Sequence, residues 1–331
     1  MTAPPLNPGQ LMEISGSYWK TCTLHAAVKL DLFTTIGDAA AGVVDIAESA
    51  GLNPDGVERL MNALTAMGLL EKAGGRFTNT ETARRFLVRS SDAYLGYMIM
   101  HHHYLMPSWN RLTEAVRSGL PVRERAIDGD DDRREAFLMG MFNNASLIAP
   151  KVAEIIDLGG CRRLLDLGGG PGTFAIHFCK KHPELTAAIY DLGTTRPFAQ
   201  KTVKKFGLED RIRFIPGDYT SEELDGAFDA VWMSHILHGE DPATCQEMIR
   251  KAVGTLTGGG RIFIHEFILE DSGDGPLFPT LFSLNMLVGT DGGRSYTQAE
   301  LVDMLTAAGV IDIQRLAFTG PTESGILAGR V

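Results

Sequence analysis

The sequence predicts an α/β protein in which a mainly parallel sheet flanked by helices follows a smaller helical unit of winged-helix pattern. Three observations carry this. Apolar residues from Leu11 to Leu87 recur at helical spacing, short apolar runs after Arg162 alternate with amphipathic segments, and a glycine-rich loop follows the first of those runs. With 331 residues, 44% hydrophobic and 22% charged, the chain is long enough for two cores. The expected divisions are a helical unit at 1–95, linking helices at 96–158 and a sheet unit at 159–331.

In the first unit, helices are expected at LMEISGSYWKTCTLHAAVKL, VVDIAESA and NPDGVERLMNALTAMGLL, the last opened by Asn53 as cap and Pro54 in the first turn. Gly74-Gly75 in LEKAGGRFTNT separates two short strand-like runs, a hairpin. Helical segments continue past Trp109 and Gly119 to an acidic loop, DGDDD, and a helix from about Arg134 to Leu158. Strands are then expected at RLLDL, TAAIYDL, RIRFIPGD, FDAVWMSHIL and RIFIHEFIL. The chain closes with a helix at TQAELVDMLTAAG and a hairpin of IDIQRLAF and SGILAGRV, which places an antiparallel strand at the sheet's edge.

A net charge of −10 gives no electrostatic reason to approach nucleic acid or an anionic membrane. Cys22, Cys161, Cys179 and Cys245 are scattered without a C-x-x-C pair, which fits reduced thiols in the cytoplasm. No stretch approaches the roughly 18 apolar residues of a membrane span, and MTAPPLNPGQ lacks the pattern of a secretory leader.

The run Asp166-Leu167-Gly168-Gly169-Gly170-Pro171-Gly172 lies between a strand and a helix, where glycines admit a ligand to the backbone and the helix N-terminus offers free N–H groups. Asp166, Asp191 and Asp218 each end a predicted strand, the edge where open parallel sheets bind ligands. Asp191 can accept ribose hydroxyls of either NAD or S-adenosylmethionine. Asp166 stands where a dinucleotide would put its pyrophosphate and suits a cationic ligand better. S-adenosylmethionine carries an ammonium and a sulfonium; Asp218 can accept its adenine amino group and Tyr219 can cover the ring. The structural alternative for each aspartate is a turn or a cap.

From the N-terminal winged-helix pattern through LLDLGGGPG, IPGDY, LHGEDPATC, GGRIFIHEFIL and GGRSYT, the sequence resembles the class I small-molecule O-methyltransferases related to the caffeic-acid and acetylserotonin enzymes. The resemblance implies a Rossmann-like seven-stranded class I methyltransferase sheet, S-adenosylmethionine as cofactor, and an N-terminal winged-helix dimerisation domain that makes a homodimer. It marks His238 as general base and Glu266 as the residue that fixes its tautomer. Cofactor contacts are expected from Asp166, Gly168, Gly170, Gly172, Asp191, Asp218, Tyr219 and Ser234, and substrate contacts from Met141, Phe142, His235 and Met286. A base is needed to make the oxygen nucleophilic; a phenol of pKa about 10 and an imidazole near 6.5 differ by about 3.5 units, so full prior deprotonation costs about 5 kcal/mol, much of which transfer concerted with methylation avoids.

The chain also departs from the pattern. Ser234 and Gly239 stand where plant relatives have a cation and an aspartate, His235 where they have tryptophan, and Ser295 where a second glutamate is usual. His101 to Tyr104 and Trp109 read as pocket or packing residues. A metal at His235, His238 and His265 is not expected, since H-x-x-H on a strand-to-loop segment lacks helical i, i+4 geometry and the family needs no metal. Non-methylating chemistry on the same fold is one alternative and an NAD dehydrogenase another. A winged-helix DNA regulator is disfavoured, because residues 1–100 hold eight Lys/Arg against ten Asp/Glu and the third helix offers only Arg59.

Overall fold

A computed structural model describes residues 5–123 and 130–331, so Met1–Pro4 and the first two positions of DGDDD lie outside the described residues. The chain forms two compact units, Met1–Leu105 and Met106–Val331.

In the first unit the expected helix over residues 11–30 breaks at Ser17 into α1 (Pro8–Gly16) and α2 (Tyr18–Lys29), followed by the short α3 (Leu32–Ile36). The next two are α4 (Val43–Ala50) and α5 (Pro54–Ala66), and the Asn53 side chain accepts the Gly56 N–H as the proline-opened start predicts. The hairpin pairs β1 (Leu70–Ala73) with β2 (Arg76–Asn79), and Gly74 and Gly75 at its tip both have positive φ. Two helices follow, α6 (Glu81–Leu87) and α7 (Gly96–Trp109). The unit's core gathers Phe33, Ile46, Met61, Leu64 and Phe77. On α7, the His103 ring packs edge-on to His25 of α2 and meets Lys29 at 3.2 Å.

The second unit starts within the last turn of α7 and continues with α8 (Leu112–Ser118), α9 (Asp131–Ser146) and α10 (Ala149–Ile155). Its sheet alternates strand and helix: β3 (Arg163–Leu167), α11 (Thr173–Lys181), β4 (Thr186–Asp191), α12 (Arg196–Lys205), β5 (Ile212–Pro216), β6 (Phe228–Ser234), α13 (Pro242–Gly254) and β7 (Leu256–Glu266). Helices α14 (Leu277–Leu287) and α15 (Gln298–Ala307) precede β8 (Ile311–Arg315) and β9 (Gly325–Arg330).

The strand order is β5-β4-β3-β6-β7-β9-β8, parallel from β5 to β7 and antiparallel at β7–β9 and β9–β8. This is the predicted seven-stranded sheet with its terminal hairpin. Successive crossovers from β3 leave toward β4 on one side and later return to β6 on the other, so a crevice opens at the carboxyl ends of β3 and β6. Leu165, Val231, Met233, Ile262 and Ile264 fill the sheet's buried face. Helix α14 is absent from the sequence reading. Its segment LFPTLFSLNML is apolar almost throughout, so it has no polar stripe from which a period can be read.

Candidate active site

The glycine loop joins β3 to α11 at that crevice. Gly168, Gly170 and Gly172 have φ of 65°, 54° and 81°. A Cβ at Gly168 would lie 2.4 Å from Ile236 and 3.3 Å from the Tyr219 ring, whereas one at Gly170 would meet open space. Backbone at Gly168 is therefore pressed between side chains while Gly170 faces outward.

Beneath the loop, Asp166 is buried, and its Oδ2 accepts the Ala175 N–H in the first turn of α11 at 3.2 Å. Its Oδ1 has no hydrogen-bond partner. Burial raises this carboxyl to about 7, against the one N–H it accepts. Asp191 accepts the Gly170 N–H at 2.8 Å on Oδ2, and the Leu192 N–H and Thr195 hydroxyl on Oδ1. Three acceptor positions are thereby filled, leaving one on Oδ2.

Asp218 sits in a turn, its Oδ1 accepting the Thr220 N–H and hydroxyl; burial opposes ionisation, but these hydrogen bonds hold its carboxyl below the usual range. The loop bearing Asp218 and Tyr219 is fixed by Lys251 of α13, whose ammonium donates to the carbonyls of Tyr219, Thr220 and Glu222 at 2.6, 3.2 and 2.8 Å. Nothing in the sequence marked Lys251 as anything but a surface helix charge.

At the end of β6 the chain enters a 3-10 turn, Leu237–Gly239, that carries His238. Glu266, the last residue of β7, is buried and holds this turn by two atoms. Its Oε1 accepts the backbone N–H groups of Leu237 at 2.9 Å and His238 at 3.4 Å, while Oε2 lies 2.8 Å from His238 Nδ1 and accepts the Phe267 N–H. Burial alone would raise Glu266, but the adjoining His238 and His235 hold its carboxyl well below the usual carboxylate range. An ionised Glu266 can only accept, so Nδ1 carries a proton, and in the neutral ring the lone pair is on Nε2. From behind, Cys245 donates to the Leu237 carbonyl at 3.0 Å and the Tyr296 hydroxyl to the Glu240 carbonyl. A Cβ at Gly293 would come within 2.5 Å of the His238 carbonyl, so the GGR segment closes on the same turn.

His235 adopts φ +57°, a conformation that side-chain-bearing residues avoid, and it stacks on Phe267 with ring centroids 4.2 Å apart. Its Nδ1 is 3.5 Å from Glu266 Oε2, too far for a good hydrogen bond. His235, His238 and Glu266 do converge, their ligand-capable atoms lying within 4.8 Å of one another, which the H-x-x-H spacing alone did not reveal. The donor set is already committed, however, since the carboxylate that would bridge the imidazoles is hydrogen-bonded to His238. Ser234 bonds His265 Nδ1 at 2.9 Å, and His265 Nε2 reaches Ser324 at 3.0 Å; burial pushes His265 well below the ordinary imidazole range, so this buried ring is neutral. Ser234 thus spends its hydroxyl on an inter-strand bond at the sheet's ligand edge.

Residues that sequence reasoning passed over complete the corner. Phe282 of α14 meets the His238 ring edge-on at 4.7 Å, and Phe267 contacts both Phe278 and Phe282. Met286 lies one helical turn beyond Phe282 and is buried. Phe142 on α9 instead packs against Phe206, at the end of α12 remote from the strands' carboxyl edge, and Met141 beside it is half-buried. The structure therefore gathers His238, Glu266, His235 and Met286 in one corner and sets Phe142 among interior side chains. Trp109 donates its indole N–H to Asn285 at 3.2 Å, and Ser295 donates to the Pro279 carbonyl, so no second carboxylate stands at that position.

The O-methyltransferase domain family matches residues 109–311, and the O-methyltransferase dimerisation domain family matches residues 12–89. The chain belongs to the O-methyltransferase family. Among curated relatives of this O-methyltransferase, the 3-hydroxy-5-methyl-1-naphthoate 3-O-methyltransferase of Streptomyces sahachiroi is 35% identical, over 97% of this chain and 95% of that protein. The tetracenomycin polyketide synthesis 8-O-methyl transferase TcmO of Streptomyces glaucescens is 33% identical, over 95% and 94%. A solved structure of PigF with SAH superposes with a TM-score of 0.89 at 28% identity, covering 98% of this chain and 100% of that one.

The O-methyltransferase is thus an enzyme whose methyl donor is S-adenosylmethionine. Its loop fits that cofactor: Gly170 faces open space, Asp191 keeps a free acceptor position, and the partnerless Oδ1 of Asp166 puts anionic character beneath the loop where an ammonium would rest. Among the described residues no helix is long and apolar enough to cross a membrane.

Proposed function

We propose that the enzyme methylates a hydroxyl on a small aromatic acceptor, with His238 as general base and Glu266 as its partner. The observation that carries this reading is the 2.8 Å contact from Glu266 Oε2 to His238 Nδ1, which leaves Nε2 free to accept a proton beside Phe282 and Phe267. When bound, S-adenosylmethionine supplies an electrophilic methyl carbon on a sulfonium. His238 Nε2 would take the hydroxyl proton as the methyl group passes to the oxygen and its bond to sulfur breaks, leaving S-adenosylhomocysteine, so a free phenolate is never needed. Glu266 stabilises the resulting imidazolium, and the phenylalanine rings offer flat apolar surface to the acceptor while excluding water. Met286 and His235 continue that surface. The relatives' naphthoate and polyketide names support an aromatic acceptor. The test is methyl transfer from labelled S-adenosylmethionine to a panel of hydroxynaphthoates, phenols and hydroxyquinones; methylation of amines alone would overturn the hydroxyl reading.

The aspartates at the strand ends are assigned to the cofactor together with Gly168, Gly170, Gly172 and Tyr219, and with Ser234 through its backbone at the end of β6, since its hydroxyl is engaged by His265. Asp191→Ala is expected to weaken S-adenosylhomocysteine binding by about 1–3 kcal/mol in calorimetry, because Asp191 both offers a ribose acceptor and holds the Gly170 N–H. Asp166 makes binding proton-linked. A positive charge over the loop favours its ionised form, so at pH values below about 7 binding of S-adenosylmethionine should release protons, and affinity should rise from pH 6 to pH 8. Titration in buffers of different ionisation enthalpy reads the proton count, and no difference between buffers would separate Asp166 from the cofactor.

A homodimer is supported by the dimerisation-domain match and by apolar side chains left exposed on α1 and α2, among them Met12, Ile14 and Trp19. Light scattering should give twice the chain mass, falling to one chain mass for Trp19→Asp. Four unpaired cysteines fit a reducing, cytoplasmic setting.

A further inference from the structure

A half-buried guanidinium lies on the face of α14 that carries Phe282. Arg123 Nη2 donates to the backbone carbonyl of Asn285 at 3.2 Å and to its Oδ1 at 3.1 Å, the same oxygen that accepts the Trp109 indole N–H. The Arg123 Nε is buried and has no hydrogen-bond partner. Among the described residues no carboxylate forms an ion pair with it. Gly289 makes room for the group, since a Cβ there would lie 2.4 Å from Nη2.

Such an arrangement is costly without a counter-charge. Removing a cation from water carries a penalty of several kcal/mol that only good pairing offsets. The Asn285 backbone carbonyl, in the last turn of α14 and so at the negative end of the helix dipole, returns part of it. It and the Asn285 side-chain oxygen engage Nη2 and leave the Nε donor unused. Burial also lowers the basicity of Arg123, with no described carboxylate to offset it.

The site's position gives the missing anion a source. Phe278, Phe282, Asn285 and Met286 stand at i, i+4, i+7 and i+8, so they form one stripe along α14. Phe282 touches His238, and Asn285, which holds Arg123, follows less than one turn later, about 4.5 Å along the axis. A flat acceptor with its hydroxyl at His238 and its ring along this stripe would direct a substituent on its far side toward the guanidinium.

We propose that Arg123 binds an anionic substituent of the acceptor, so that the enzyme's substrates are hydroxyarenes bearing a carboxylate. This rests on the reading of His238 as the base at which the acceptor hydroxyl is deprotonated. A carboxylate would take the Nε donor and a remaining Nη hydrogen, the forked geometry in which guanidinium and carboxylate pair best. The ionised acid also suits an otherwise apolar corner, because Arg123 brings there a positive charge that no described carboxylate pairs.

The test compares 3-hydroxy-2-naphthoate with its methyl ester as acceptors for the intact enzyme. Wild type should favour the acid in kcat/KM by about tenfold to a hundredfold, the range of a hydrogen bond to a charged group. Arg123→Met should erase the preference. Asn285→Asp supplies an internal carboxylate to Arg123 and should erase it too, with a melting temperature equal to or above wild type and unchanged S-adenosylhomocysteine affinity, which separates loss of the anion site from misfolding. Equal turnover of acid and ester by wild type, or a preference that survives both substitutions, would overturn the anion site while leaving the base assignment intact. Methylation of neither compound together with failure on every other hydroxyarene would instead count against the hydroxyl-methylating reading itself.

Discussion

His238→Ala is expected to lower kcat by about 100-fold or more while leaving the Kd for S-adenosylhomocysteine within about twofold of wild type. The separation follows from where the residue sits. His238 lies in the turn after β6, and the cofactor loop after β3 is framed by Asp166, Asp191, Tyr219 and Ile236, none of which depends on the imidazole. Removing the ring takes away the proton acceptor but leaves the Leu237 and His238 N–H groups bonded to Glu266, so the turn keeps its backbone anchor. Residual turnover should rise with pH, because the acceptor must then ionise without help, and it should rise at lower pH for more acidic phenols. Single-turnover rates with labelled donor measure this directly. A variant with wild-type kcat would strip His238 of its role as base and return attention to His235, the second imidazole in the corner.

What the sequence made legible and what it hid divide along physical lines. Strands β3 to β7 were readable because each is a short apolar run bounded by turn residues, and the glycine loop because positive φ at Gly168, Gly170 and Gly172 demands glycine. His238 and Glu266 were readable only through their resemblance to a family pattern, since they lie 28 positions apart and nothing local couples them. Their meeting is a consequence of β6 and β7 pairing in parallel with Ser234 opposite His265. That same register accounts for the Ser234–His265 hydrogen bond, which strand pairing could have suggested. Phe278 and Phe282 were hidden because an apolar segment without a polar face shows no helical period. Arg123 carried no signal at all: a lone arginine in a charged stretch looks solvated until α14 is folded over it. Phe142 shows the converse, a position matched by resemblance whose ring in this chain packs on Phe206.

Replacing Glu266 should do more damage than replacing His238. Glu266→Ala removes the acceptor for the Leu237, His238 and Phe267 backbone N–H groups and for His238 Nδ1, all in a buried corner. At about 1–3 kcal/mol for each buried donor left unsatisfied, a loss of roughly 3 kcal/mol or more in stability is expected along with activity. Glu266→Gln separates the two effects. Its carbonyl oxygen can serve either the backbone N–H groups or Nδ1, but its NH2 then faces the other, so one side of the corner always meets donor against donor. If the amide nitrogen faces the imidazole, Nδ1 must become the acceptor and Nε2 takes up the proton, which leaves no base for the acceptor hydroxyl. Activity should fall by about 10²–10⁴-fold while the fold survives. The pH dependence identifies the cause. Because the Glu266 pKa is depressed in the folded state, its stabilising contribution is present above the unfolded-state value near 4.3 and is lost as pH falls through the lower folded value. Melting temperatures of wild type should therefore drop on the acid side of about pH 4 by more than those of the Gln variant. Parallel curves for the two proteins would mean that Glu266 is not held ionised by its histidines, and the tautomer argument for His238 would fall with it.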